Sequence, residues 1–186
     1  MEEKYYIKKL ENKDKIIKEY QKKINLLNRE LEYYKDVATM DYLTKLVNRR
    51  GIKNTKKYNS LILGDIDYFK KINDEYGHNI GDNVLVEISK ILKKSFDGEQ
   101  VVCRWGGEEF LIMLKDDTTA SLYRKVAEVK DSIFNLSEEF GFDISMSFGI
   151  SNFRNKTFEK ALSEADQAMY ESKNNGRNKI TVFSKK

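Results

Sequence analysis

Apolar residues recur along the first 40 positions at spacings of three and four. Written as heptads, one row holds Leu10, Ile17, Ile24, Leu31 and Ala38, and the other Tyr6, Lys13, Tyr20, Leu27 and Tyr34. Apart from Lys13 this is a continuous seam at the 3.5-residue period of a coiled coil, and Ile in the first row with Leu or Tyr in the second favours two parallel strands. The alternative is an amphipathic helix folded onto its own domain. About 37 helical residues, however, extend roughly 55 Å, well beyond one small domain. A coiled-coil dimerisation helix over residues 1–39 is expected, with a globular domain over 40–186.

The pattern changes after Asp41. SLILGDI, Ser60 to Ile66, is a short apolar run ending in acid and reads as a buried strand. Phe69 to Tyr76 reads as a helix and GHNIGD, Gly77 to Asp82, as a loop. Asn83 to Phe96 returns to helical spacing, with Asp82 placed to cap it. Gln100 to Trp105 and Phe110 to Lys115 flank Gly-Gly-Glu-Glu, a hairpin signal. A helix over Thr118 to Glu139, a strand over Phe142 to Ile150, a helix over Thr157 to Asn174 and a strand over Lys179 to Phe183 complete the chain. The order β-α-α-β-β-α-β-α-β contains the ferredoxin-like β-α-β-β-α-β plan. This is an α+β fold with a central antiparallel sheet and helices on one face.

Composition narrows the chemistry. The net charge of +4 is small beside 34 basic and 30 acidic residues, a mild bias toward anionic partners without the basic excess of a nucleic-acid binder. One cysteine, Cys103, excludes an intrachain disulfide and a cysteine-based zinc site, and one histidine, His78, argues against a Ser-His-Asp hydrolase. No stretch approaches the roughly 18 apolar residues of a membrane span, and the N-terminus lacks a signal-peptide core. A soluble cytoplasmic protein is expected.

Carboxylates and bases remain. The strand ending in Asp65-Ile66-Asp67 and the hairpin carrying Glu108-Glu109 would lie side by side, gathering carboxylates that repel one another unless a hard cation such as Mg²⁺ or Mn²⁺ neutralises them. Mg²⁺ in such a site commonly takes phosphate oxygens as well. Lys70 lies one turn beyond Ile66, and Lys173 and Arg177, four apart, are able to point the same way at a helix C-terminus. Together they suggest nucleotidyl transfer. Singly, each feature has a plainer reading as a turn, a solvated strand end or a basic helix end.

Five ordered blocks sharpen this: Asp41 to Arg50, DIDYFKKINDEYGHNIGD (Asp65 to Asp82), RWGGEEF (Arg104 to Phe110), SFGIS (Ser147 to Ser151) and ADQAMYESKNNGRN (Ala165 to Asn178). Over these blocks the chain resembles the GGDEF-domain diguanylate cyclases. The resemblance implies a homodimer in which two GTP molecules on facing domains condense to cyclic di-GMP with release of two pyrophosphates. It further implies that Asp65, the Ile66 carbonyl and Glu108 bind Mg²⁺ or Mn²⁺, with Glu109 as a further ligand. Lys70, Lys173 and Arg177 would contact the triphosphate, Lys70 stabilising charge in the transition state, and Asn73 and Asp82 would read the guanine edge. Glu108 would also help to deprotonate the 3′-hydroxyl, with transfer through water or substrate as the alternative. His78, Gly106 and Gly107 match the motif, the glycines leaving room for a nucleotide near the backbone; Asp67 is left between orienting the ligands and capping the next helix. A catalytically inert nucleotide-binding module is the competing class.

Some features depart from the family. An Arg-x-x-Asp product-binding pair found in many members is replaced by Asp97-Gly98-Glu99-Gln100, so no product-inhibition site is expected there. The helix usual between Arg50 and Leu61 should be reduced. Gly64 leaves room either for a nucleotide or for tight packing.

Overall fold

A computed structural model describes residues 1–98, 100–115 and 118–184, the side chains of residues 3, 8 and 11 excepted. The chain divides into two compact units, Met1–Ala38 and Thr39–Lys186. Helix α1, Glu2–Thr39, is 38 residues long. Its seam residues Tyr6, Leu10, Ile17, Tyr20, Ile24, Leu27, Leu31 and Tyr34 are all exposed. Among the described residues no helix is long and apolar enough to cross a membrane.

The second unit runs β1 (Val47–Asn48), β2 (Ser60–Ile66), α2 (Phe69–Tyr76), α3 (His78–Ser95), β3 (Val101–Arg104), β4 (Glu109–Leu114), α4 (Thr119–Phe134), α5 (Leu136–Phe140), β5 (Met146–Asn152), α6 (Phe158–Asn174) and β6 (Ile180–Val182). One α+β sheet forms in the order β1-β3-β4-β2-β5-β6. β2 pairs antiparallel with β4 and β5 at its centre, while β1 and β6 add parallel edges beside β3 and β5.

The helices cover both faces of this sheet, not one. Every residue of β2 is buried, and a strand without polar alternation needs cover on each side. Ile62 and Ile66 join Phe110, Ile112, Met146 and Phe148 in a core with Val84, Ile88, Val126 and Ile133 from α3 and α4. Leu61 and Leu63 point the other way, with Cys103, Leu111 and Met113, against Ala161, Ala165 and Met169 of α6. Gly149 sets that second contact: a Cβ there would lie 2.0 Å from the Ala165 carbonyl oxygen and 2.3 Å from the Met169 nitrogen. The backbone of α6 therefore rests directly on β5. At Gly64 a Cβ would fall 2.6 Å from Phe148 Cε1, which decides between the two readings in favour of packing.

Several boundaries differ from expectation. The loop expected over Gly77 to Asp82 is mostly helix: Gly77, at φ 85°, breaks the chain after α2, and α3 starts at once at His78. Asp82 is thus inside α3 and caps nothing. The helix expected through Glu139 is interrupted at Asn135, where the chain redirects to bury Leu136. β5 starts at Met146 because Phe142 instead stacks on Tyr76, with ring centroids 4.1 Å apart. Between Arg50 and Leu61 the chain makes only 3₁₀ turns, Arg49–Gly51 and Thr55–Lys57, in line with the reduced helix.

Candidate active site

The register of β2 and β4 places Asp65 directly opposite Glu109. Asp65 alternates onto the same face as Leu61 and Leu63, and Glu109 onto the same face as Leu111 and Met113, so both carboxylates face α6. Glu108 precedes them in the turn, where its carbonyl accepts from the Ile66 N–H at 3.2 Å. Like charges directly opposed across a ladder destabilise it, so this edge is electrostatically incomplete without a cation. Burial pushes the pKa of Asp65, Glu108 and Glu109 up, and for both glutamates the charge of Asp65 adds to the effect.

Lys173, on the last turn of α6, supplies one positive charge: its Nζ lies 2.6 Å from Asp65 Oδ1. The contact is a close ion pair. Asp65 is only 5% exposed, and its Oδ1 meets the Lys173 ammonium. Such a buried oxygen suits a cation. Among the described residues no three carboxylate, histidine or cysteine side chains converge closely enough to enclose a metal by themselves. An ion here would need oxygens beyond these side chains, and Mg²⁺ commonly takes phosphate oxygens and water.

The hairpin is held in place from below. Arg104 donates through Nη2 to the Gly107 carbonyl at 2.7 Å and through Nη1 to Asp41 Oδ1 at 3.1 Å. Asp41 Oδ1 also accepts from the Thr44 N–H and hydroxyl at 2.8 and 2.7 Å. Burial alone would raise the Asp41 pKa, but the bonds from Thr44 and Arg104 outweigh it and leave the pKa lowered. Asp41 and Arg104 both lie in the motif blocks, but no local rule pairs residues 63 positions apart. Gly106 does not serve as a left-handed turn residue. A Cβ on it would meet Glu109 Oε2 at 2.5 Å, so it makes room for that carboxylate, whereas Gly107 faces open space.

Asp67 neither caps α2, whose N-cap is Tyr68 without a side-chain bond, nor is solvated. It is 3% exposed and accepts from Ser147 Oγ at 2.7 Å, Ser145 Oγ at 2.7 Å and the Asn178 N–H at 2.9 Å. Lys173 and Arg177 both act on Asp65 from the C-terminal end of α6, but only Lys173 is helical. α6 ends at Asn174, and Arg177 sits on the turn beyond, at φ 59°. Its guanidinium stacks on Tyr68 and still acts electrostatically on Asp65.

The remaining candidates lie along α2 and α3. Lys70 is exposed on the first turn of α2, and His78 and Asp82 are exposed on α3. Asn73 is half-buried against Gly81, where a Cβ would come within 2.0 Å of its Oδ1. In the window that replaces the product-binding pair, Asp97 and Gly98 are exposed and Gln100 is half-buried, while Glu99 lies outside the described residues.

This sheet, with a carboxylate pair at the end of its central strand and bases arriving from the far side, is that of a nucleotidyl-cyclase domain. Residues 38–179 match the family described as diguanylate cyclase, GGDEF domain, and the chain belongs to it. It is 38% identical over 159 residues to diguanylate cyclase A of Treponema denticola, covering 82% of this chain and 42% of that protein. It is 34% identical over 175 residues to the response regulator PleD of Caulobacter vibrioides, covering 83% and 38%. The chain thus spans less than half the length of these relatives. Among solved structures, the coiled coil and GGDEF domain of DgcB from Caulobacter crescentus, in complex with c-di-GMP, has the same fold: TM-score 0.80 at 23% identity, over 91% of this chain and 98% of that one. Diguanylate cyclase SiaD of Pseudomonas aeruginosa, in complex with its activator SiaC, matches at TM-score 0.72 and 30% identity, over 97% and 75%.

Proposed function

We propose that this chain is an active diguanylate cyclase that condenses two GTP into cyclic di-GMP and two pyrophosphates. The observation that carries the reading is the buried Asp65–Glu109 carboxylate pair with the cations Lys173 and Arg177 beside it. Asp65, the Ile66 carbonyl, Glu108 and Glu109 would hold Mg²⁺ or Mn²⁺. That ion, when bound, neutralises triphosphate charge and polarises the α-phosphoryl group.

The chain's own groups do the rest. Lys173 and Arg177 bind phosphate oxygens from the end of α6 and the turn after it, and Lys70 from α2 stabilises the charge that develops on the transferring group. Asn73 and Asp82 take the guanine edge, the carboxylate accepting from ring and exocyclic N–H groups. The 3′-oxygen of one GTP forms a bond to the α-phosphorus of the other, the α–β bridging bond breaks, and pyrophosphate leaves. The proton of the 3′-hydroxyl passes to Glu108 directly or through water. The same step in the opposite direction closes the ring.

One such domain offers one GTP seat, so the reaction needs two domains face to face about a two-fold axis. The exposed seam of α1 supports a parallel homodimeric coiled coil that raises the local concentration of the second domain. The domain assignment is then 1–39 for dimerisation and 40–186 for catalysis, in a cytoplasmic protein.

The test is incubation of the protein with GTP and either Mg²⁺ or Mn²⁺, followed by chromatography for cyclic di-GMP and a pyrophosphate assay, with Glu108→Gln as control. Cyclic di-GMP from the parent chain and about 10²-fold less from the variant is expected. Absence of product over a wide range of protein concentration would leave the inert nucleotide-binding reading. Cyclic GMP-AMP as the main product from mixed ATP and GTP would overturn the guanine assignment of Asp82.

A further inference from the structure

We infer that Tyr68 is a positioning residue for Arg177, its ring and hydroxyl fixing the guanidinium plane that is to meet the triphosphate. The inference rests on the phosphate role proposed for Arg177.

Tyr68 is unusual in three ways. It is 61% exposed, so core burial does not explain a large aromatic there. It has φ 55° and ψ 28°, a left-handed conformation that a bulky residue adopts only when its surroundings hold it. It also occupies the N-cap of α2 without giving the helix a side-chain bond, a place where Ser, Thr, Asp or Asn would serve the helix better. Local structure thus gives no reason for tyrosine at this position.

Arg177 supplies one. Its Cζ lies 4.3 Å from the centroid of the Tyr68 ring, and its Nη1 donates to the Tyr68 hydroxyl at 3.1 Å. With Nη1 donating to the hydroxyl, the other N–H groups of the guanidinium are left for a ligand. The backbone beneath is fixed as well. Gly176, Arg177 and Asn178 are all left-handed, at φ 103°, 59° and 47°. The Asn178 N–H is held by Asp67 Oδ2 at 2.9 Å, and Asp67 is itself tied to Ser145 and Ser147. Adjacent residues of the β2–α2 turn therefore grip adjacent residues of the turn after α6: Asp67 takes the backbone of Asn178, and Tyr68 takes the side chain of Arg177. A long, flexible side chain held this way loses less conformational freedom when it binds phosphate, which tightens binding without any new contact to the ligand.

The test is a double-mutant cycle on the full chain. It reads the affinity for the non-reactive analogue guanosine 5′-[(α,β)-methylene]triphosphate with Mg²⁺, by calorimetry. Tyr68→Ala should weaken binding roughly fivefold, and Tyr68→Phe, which keeps the ring and loses the hydroxyl, about twofold. Arg177→Ala should weaken it about tenfold or more. The decisive figure is the double variant Tyr68→Ala/Arg177→Ala, expected to bind as Arg177→Ala does, because Tyr68 acts only through the arginine. Circular dichroism and Tm confirm that each variant is folded, and Tyr68→Phe provides the milder substitution. Additive losses, or no loss from Tyr68→Ala while Arg177→Ala binds poorly, overturn the positioning role. Unchanged binding by Arg177→Ala instead overturns the phosphate role of Arg177, a separate failure.

Discussion

Lys173 Nζ stands 2.6 Å from Asp65 Oδ1, an oxygen of a carboxylate that is only 5% exposed. In the nucleotide-free chain the lysine thus neutralises a carboxylate proposed to hold a metal ion. Removing its charge should lower both stability and activity. Lys173→Met leaves a buried carboxylate without compensation; because the lysine is 27% exposed, the loss is smaller than for a fully buried pair, and Tm should fall by roughly 2–6 °C. Mn²⁺ should restore much of this in the variant and little in the parent, while cyclic di-GMP formation drops at least about tenfold. Thermal melts with and without Mn²⁺ check the first effect. Equal Mn²⁺ responses in the two proteins would show that lysine and ion do not share the site.

Glu109 carries the pH prediction. Burial, followed by the charge of Asp65, raises its pKa above the ordinary carboxylate value. A folded-state pKa above the unfolded one means that the native chain binds more protons in the interval between them. Stability due to this group therefore falls as pH rises through that interval, and the full penalty remains above it. Glu109→Gln should raise the Tm of the metal-free protein at pH 8 by about 2 °C, and the difference should vanish below about pH 4. A gap that grows on acidification contradicts the sign.

Arg104 anchors the hairpin without a proposed contact to nucleotide. Arg104→Ala removes the bonds to Gly107 and Asp41 and leaves Asp41 half-buried with only Thr44. Hydrogen exchange at the amides of residues 105–109 should speed by about tenfold, and turnover should fall with KM for GTP changed less. Protection equal to that of the parent would show that the hairpin holds itself.

Gly81 tests the guanine seat from outside. An added Cβ would sit 2.0 Å from Asn73 Oδ1, and the cheapest relief is rotation of the asparagine side chain. Gly81→Ala should raise KM for GTP by about tenfold with a Tm change of only a few degrees. A large loss of Tm with normal KM in the remaining folded protein would instead make Gly81 a packing residue alone.

Deletion of residues 1–38 addresses assembly. At nanomolar protein the truncated chain should lose most of its specific activity and recover part of it as concentration rises, because tethered pairing becomes bimolecular. Equal activity at every concentration removes α1 from the mechanism.

The sequence was most legible where period and burial coincide. Ser60–Ile66 and Phe69–Tyr76 have their expected limits, since an apolar run ending in acid and an amphipathic turn each leave a local trace. The carboxylate edge was visible for the same reason. Two tertiary effects were not. The apolar run of β2 signals burial, but how closely α6 covers the second face depends on the backbone clearance at Gly149, which no periodicity encodes. Position 109 was assigned to the turn, yet it joins β4, and this one-residue extension puts its carboxylate opposite Asp65. The four-residue spacing of Lys173 and Arg177 is only partly helical, because α6 ends at Asn174, and the pairing of Arg177 with Tyr68 across 109 positions leaves no sequence signal.

Gly149 also limits how far this chain can be edited. With Ala165 and Met169 backbone atoms where a side chain would begin, even alanine has nowhere to go unless α6 lifts off the sheet. A saturation library at that position should return glycine almost alone under selection for folded protein, although Gly149 has no proposed part in the reaction. In an exhaustive map of variants, the least forgiving column would then mark the clearance between two stretches of main chain, and intolerance there should not be mistaken for chemistry.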